Sequence, residues 1–397
     1  MAVRGKNLHL EHLEDEIINL GSEGGKQAIK ILREMGKFLS GTGGNVKVTT
    51  KWDGAPAIVC GTDPTDGNFF VGTKSVFAKS EPKICKSEAD VQRLYDGVLA
   101  KKLSESLKLL KDCNIKGVLQ GDLMFTDDKK LETIDGDRLI SFRPNTITYA
   151  VDPNSDLGKK IDKAQLGIVF HTKYTGDTLP EMTSSFDVKD NDYNSNNNVW
   201  IEKAEFKDIG GVASMTMSEK NTYDSAVNKA EGSLKQASRV LDMIQTGKKN
   251  LQIDTEFKKF FNKYVKSGNN IPSVDRAYDD FIEHLTGEFQ KAMDKVKTDA
   301  AKTKKAVDLM EKLDKMEKNK QGFKMVIASY MNLQVAKNIL VGKMKRVQSL
   351  RLFVDMGNGD YKVTSPEGFV GISGKSAVKF IDRLEFARLN FTVPKSW

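Results

Sequence analysis

The chain has 397 residues, 39% of them hydrophobic and 29% charged, with a net charge of +8, enough apolar material for a large core and two or three domains. Its three cysteines, Cys60, Cys85 and Cys113, show no paired spacing, which argues against a zinc site or a disulfide framework and for a reducing, cytoplasmic compartment. No uncharged apolar stretch reaches the ~18 residues of a membrane span, and the first residues lack the apolar run of a secretion signal.

Residues 8–40 read as helical, with Ala28, Ile31, Leu32, Met35 and Leu39 at helical spacing until the glycine cluster at 41–44. Short strands follow at 45–51, 57–61 and 69–73, separated by turns at Asp53-Gly54 and at 63–67. Residues 88–112 return to helix. Strands resume at 117–120, 139–142, 146–151 and 166–171, and the mixture predicts an α+β domain. The Asn-rich stretch 187–198 has no periodicity and reads as a linker or mobile loop.

From about Asp224 to Arg346 the helical period dominates, with predicted breaks at Gly247, Gly268 to Pro272 and Gly287. Phe257, Phe260, Phe261 and Tyr264, then Val307, Met310, Leu313 and Met316, read mainly as bundle core. Strands return at Leu350, 361–364, 368–372 and 377–381. The economical division is an N-terminal helical segment 1–44, a first part of the sheet domain 45–190, an all-α insertion 191–349, and the last strands 350–397.

The charge is uneven. Between 286 and 349 there are 15 Lys and Arg against 7 Asp and Glu, an excess as large as the whole chain's. Such a block suits a polyanion such as nucleic acid, or is simply a solvated helix face. The histidines His9, His12, His171 and His284 have no metal-ligand spacing and read as structural.

The densest chemical signal is Lys51-Trp52-Asp53-Gly54, at the end of a strand. Further along stand Gly121-Asp122-Leu123, Ile168-Val169-Phe170, Glu367-Gly368-Phe369-Val370 and Ala377-Val378-Lys379. Taken singly, Asp53-Gly54 is a hairpin turn, Phe170 core and Glu367 a turn residue. In this order the set resembles the covalent nucleotidyltransferases, the superfamily of ATP-dependent DNA ligases, RNA ligases and mRNA capping enzymes. The likeness covers about 45–175 and 350–391. The chain is also similar overall to an uncharacterised family of large tailed phages, which would place it in the host cytoplasm.

The resemblance implies an antiparallel, ATP-grasp-like nucleotidyltransferase domain, here interrupted by the helical insertion and without a C-terminal OB barrel. It implies that Lys51 attacks the α-phosphorus of ATP to form lysyl-AMP, with Lys379 and Lys74 as catalytic cations. It implies a nucleotide site made by Asp53, Gly54, Asp122, Phe170, Glu367 and Lys375, with Phe170 against the base, Asp122 on the ribose, and Asp53 and Glu367 holding Mg²⁺. The side chain of the spacer Trp52 should point away. Asp122 stands where the superfamily has Glu, one methylene longer. Ile381 stands where a second lysine is usual, leaving Lys375 and Arg383 as substitutes. The expected activity is polynucleotide ligation, RNA-ligase-like, on 5′-phosphate and 3′-hydroxyl ends. Nucleotidyl transfer to another acceptor, capping, and a non-catalytic phage structural role are the alternatives.

Overall fold

The computed structural model describes residues 10–207, 211–245, 251–347, 350–357, 360–374 and 376–387. Helices α1 (Glu16–Asn19) and α2 (Gly21–Leu39) lead into strands β1 (Lys47–Lys51), β2 (Ala57–Thr62) and β3 (Phe69–Gly72). Helices α3 (Glu88–Leu94) and α4 (Gly97–Leu110) precede β4 (Val118–Phe125), β5 (Lys130–Ile134), β6 (Asp137–Phe142) and β7 (Ile147–Val151). Next come α5 (Asp156–Lys163), β8 (Leu166–Thr175), β9 (Thr183–Ser185) and β10 (Val199–Lys203). The helical run is α6 (Met217–Ile244), α7 (Asp254–Ser267), α8 (Val274–Asp294), α9 (Asp299–Lys318) and α10 (Lys320–Met344). Strands β11 (Arg351–Gly357), β12 (Asp360–Val363), β13 (Gly368–Ser373) and β14 (Ser376–Phe380) follow.

Local chemistry sets several of these ends. Ser87 and Asp90 exchange side-chain and backbone hydrogen bonds at the start of α3, and Thr216 and Glu219 do the same for α6, each satisfying otherwise unpaired helix N–H groups. Helix α7 stops at Gly268, whose φ of 72° suits a residue without Cβ. Gly36 lies inside α2 because the Tyr223 ring would be 2.7 Å from any Cβ there; the glycine lets α6 pack close.

The described strands form three sheets, ordered β1-β13-β14, β10-β8-β4-β2-β3 with β9 on β8, and β12-β11-β7-β6-β5. Their strand pairs are antiparallel apart from β10 on β8, which is parallel. The fold is thus mixed α and β with antiparallel sheets, and no barrel closes among the described residues. One face of the six-stranded sheet packs Ile58, Leu119, Ile168 and Phe170 against Val91, Leu103 and Leu110 of α3 and α4. The other face packs Phe125, Val169 and Trp200 against Ile140, Phe142 and Tyr149 of the five-stranded sheet. The three-stranded sheet puts Phe369, Val378 and Phe380 into the large helical core.

The return of the chain to its earlier sheets is an observed feature: β11 pairs with β7 and β13 with β1, with α6 to α10 lying between in sequence. The expected boundaries shift at two places. Residues 191–207 belong with the sheets, since β10 pairs with β8. The N-terminal helices are not a separate segment, since Ile31, Leu32 and Met35 share a core with Tyr223, Leu234 and Tyr330.

The stretch 187–198 is anchored at several points rather than running free as a linker, although most of its side chains are exposed. Val188, Asp192 and Tyr193 are buried, Lys116 N–H donates to Asp192 O at 2.8 Å, and Asn194 N–H donates to Cys113 O at 2.7 Å. Gly287 does not break α8, and Val307 and Met310 are exposed rather than core. Gly247 lies outside the described residues.

Part of the basic excess of 286–349 is taken up in ion pairs. Lys337 is buried on Glu14 at 2.7 Å, Lys343 is buried on Glu219 at 2.6 Å, and Lys312 and Lys318 pair along α9 with Asp308 and Asp314. No described helix is long and apolar enough to cross a membrane.

Candidate active site

Strand β1 delivers Lys51 at its last position. In register, Lys51 lies opposite Gly368, Thr49 opposite Val370, and Val370 opposite Lys379. The two-residue period of a strand therefore puts Lys51 and Lys379 on one face of the three-stranded sheet. Glu367, the residue before Gly368, lies on that side, and its Oε2 accepts a charge-assisted hydrogen bond from Lys51 Nζ. The two residues are 316 positions apart in sequence. The Lys51 side chain is 28% exposed and that of Glu367 10%, so the pair is largely buried but still reached by solvent on the lysine side.

The electrostatics are unequal. Burial acts to lower the pKa of Lys51, but the Glu367 and Asp122 carboxylates outweigh it and hold the ammonium above its ordinary value. Burial raises Glu367 against the pull of Lys51. Lys379 moves the other way: burial, the charge of Lys51 and that of Lys74 lower it, opposed by Glu367 and Glu11. Its backbone N–H donates to Glu11 O at 2.9 Å, so residues 11–12 line the outer edge of β14. Lys74 is exposed on a single 3₁₀ turn, Lys74–Phe77.

Asp122 reaches the site from β4, opposite Ala57 on β2 and Val169 on β8. It is partly exposed, and His171 Nε2 lies 3.7 Å from its Oδ1. Gly54 is required by this approach, because a Cβ there would stand 2.5 Å from the Asp122 Cβ and 3.0 Å from Leu123 O.

Asp53 is buried and engaged. Its Oδ1 accepts from Asn145 Nδ2 at 2.7 Å, and its Oδ2 from the N–H groups of Thr146 and Ile147 at 2.8 and 2.9 Å. Its own N–H donates to Tyr149 Oη at 2.7 Å. With three donors on its two oxygens, Asp53 anchors the turn after Lys51 to the start of β7 and has little capacity left for a metal. Trp52 points to the apolar side, stacked on Tyr149 at 5.4 Å and edge-on to Trp200 at 6.1 Å.

Phe170 does not line this site. It is fully buried with Leu119 and Ile168 beneath α3 and α4, its ring 5.7 Å from that of Tyr193. Asp122 and Val169 are on the other face of the sheet, so Phe170 is core rather than a platform for a base. Lys375 lies outside the described residues, as does His9. Arg383 is committed elsewhere, to Asp15 at 3.2 Å and Tyr330 Oη at 2.9 Å. The structure therefore brings together Lys51, Glu367, Lys379 and Asp122, with Gly54 beneath and Lys74 within electrostatic reach of Lys379.

Sequence reasoning took His171 as structural and passed over Glu11, Asn145 and Tyr149. For His171 a signal existed: the residue after a buried aromatic in a strand faces the opposite side. The other three act mainly through backbone or second-layer contacts and carry no motif.

Among the described residues no three His, Cys, Asp or Glu are grouped so as to hold a metal ion. Glu367 and Asp122 are the carboxylates disposed toward Lys51 and, as hard oxygen donors, suit Mg²⁺ directly or through water. No curated protein and no solved structure gives a match to the chain. Over residues 7–395 it matches the family described as "Family of unknown function (DUF6267)", and the chain belongs to that family.

Proposed function

We propose that this protein is an ATP-dependent nucleotidyltransferase that works through lysyl-AMP on Lys51, and that its acceptor is a polynucleotide end. The observation that carries the reading is the convergence of Lys51, Glu367, Asp122 and Lys379, from three distant stretches of chain, on one partly exposed charge cluster. Conserving the fold alone would not require four charged side chains in incompletely paired contact there.

The chemistry follows from the parts. Lys51 Nζ loses its proton and bonds to the α-phosphorus, the bond from that phosphorus to the bridging oxygen breaks, and pyrophosphate leaves with the electron pair. Glu367 keeps the ammonium aimed and, its own pKa raised by burial, is the nearest base for its proton. Lys379 and Lys74 supply positive charge to the phosphates. Mg²⁺ held through Glu367 and Asp122 would neutralise further phosphate charge. AMP then passes to a 5′-phosphate, and attack by a 3′-hydroxyl joins the strands and frees AMP.

The test is joining of a 5′-phosphorylated oligoribonucleotide with ATP and Mg²⁺, with Lys51→Ala as control. Sealing by the wild type alone supports the full reading. Labelling of Lys51 without any strand joining would move the acceptor to another class.

A further inference from the structure

We infer that His171 is a specificity-determining residue of this site, acting with Asp122 to read a ribose hydroxyl of the nucleotide; this rests on the nucleotidyl-transfer reading above. The register between β4 and β8 is the starting point. Asp122 lies opposite Val169 and Gly121 opposite Phe170, but Gln120 lies opposite Thr172. His171 therefore has no residue of its own across the ladder. Such an extra residue is a β-bulge, which re-aims side chains and is common beside active sites. Here it leaves Phe170 in the core and turns the imidazole toward Asp122, on the opposite face of the sheet, where both side chains are partly exposed.

The second observation is how the ring is held. His171 Nδ1 is 2.7 Å from Thr172 Oγ1, and Thr172 is buried. With the Thr172 hydroxyl donating to Nδ1, the proton of the neutral ring sits on Nε2, which faces Asp122 as a donor. The 3.7 Å between Nε2 and Asp122 Oδ1 is too long for a direct hydrogen bond. A donor and an acceptor set side by side and not satisfied by each other suit a group that is both. An alcohol fits: it donates to the carboxylate and accepts from Nε2–H. The pair also offsets the shorter reach of Asp122, by bringing a second polar group from the neighbouring strand.

His171 makes no contribution to the apolar clusters, so its removal should spare the fold. The test compares ATP, 2′-deoxy-ATP and 3′-deoxy-ATP as donors for labelling of the full-length protein. In the wild type, one deoxy analogue should show a KM about 10-fold above that of ATP, about 3-fold from each of the two hydrogen bonds the hydroxyl makes. In His171→Ala, which keeps only the Asp122 bond, that ratio should fall to about 3-fold, mainly through a higher KM for ATP, and His171→Asn, which keeps a donor, should restore part of it. A melting temperature equal to wild type shows that the loss is not unfolding.

An unchanged ratio in His171→Ala, or an equal rise in KM for all three donors, overturns the proposal. If the wild type forms no adduct, the same comparison is made as Kd by calorimetry. Tighter binding of ATP than of the deoxy form, lost in His171→Ala, upholds the ribose role while the covalent chemistry fails. Equal binding or none overturns the ribose role as well.

Discussion

Two charge clusters in this molecule differ in how they are finished. One lies where the first residues meet the helical core. There Glu14 and Lys337 are fully buried at 2.7 Å, Arg383 meets Asp15 at 3.2 Å, and Tyr330 Oη donates to Asp15 at 2.8 Å while accepting from Arg383 at 2.9 Å. Although burial acts to raise Glu14, Lys337 and Arg383 hold its carboxyl down at about 2. The other cluster is Lys51, Glu367, Asp122 and Lys379. Its Lys51 is partly exposed, its lysines are pushed in opposite directions, and burial raises the pKa of Glu367 despite its partner. The closed network sets each carboxylate against a cation, although Glu14 Oε2 and Arg383 Nε find no hydrogen-bond partner among the described residues and burial raises Asp15 despite Arg383. The open one holds groups that a substrate carrying phosphates and metal would complete. The two differ in access rather than in completeness of pairing: Lys337 and Glu14 are shut away from solvent, whereas the Lys51 side chain keeps 28% of its surface exposed, as a group that meets a substrate must.

The widest gap between the clusters should appear in lysine removal. Lys337→Met leaves Glu14 buried with only Arg383 at 3.8 Å, and should cost about 3–5 kcal/mol by denaturant unfolding. Lys51→Met leaves a Glu367 that burial already favours protonating, and should stay within about 1 kcal/mol of wild type. Equal losses in both would erase the distinction. In activity the order reverses: Lys51→Met should abolish covalent labelling.

A smaller effect concerns pH. The nucleophile must be unprotonated, and Lys51 is held above the ordinary lysine value of about 10.4. The kcat/KM for labelling, which reports the free protein, should therefore climb steadily from pH 7 past pH 9. Asp122→Asn removes one negative charge that favours the ammonium, so the Lys51 pKa falls and the profile shifts to lower pH. A shift to higher pH would contradict the field assigned to Asp122.

The smallest effect is at Phe170. As a core residue remote from the cleft face, Phe170→Leu should cost about 1–1.5 kcal/mol of stability and leave the KM for ATP unchanged. A several-fold rise in that KM, at intact stability, would return Phe170 to the nucleotide site.

Much of this was readable in the chain. The strand before Lys51, the glycine after Asp53 and the final strands carrying Glu367 and Lys379 follow from period and turn chemistry, and their order pointed to one site. Phe170 shows the limit: the residue type was right for a base platform, but which face a strand residue occupies depends on register, and β8 carries a bulge just past it. Asp53 shows another, because a carboxylate's partners can be backbone N–H groups from a distant strand, which no local pattern announces. The stretch 187–198 looked like a linker on composition, yet backbone hydrogen bonds from Lys116 and to Cys113 and a half-buried ion pair of Lys173 with Asp192 tie it down. Polar residues order a loop when the fold supplies partners that the local sequence does not contain.

The central claim is that Lys51 is a nucleophile toward ATP. It is tested most directly by incubating the protein with α-³²P-ATP and Mg²⁺, separating it on a denaturing gel, and challenging with pyrophosphate. The expected result is a protein-bound label that pyrophosphate reverses and that Lys51→Ala lacks. A folded wild type that takes no label, or a Lys51→Ala variant that takes it as well, would contradict the assignment.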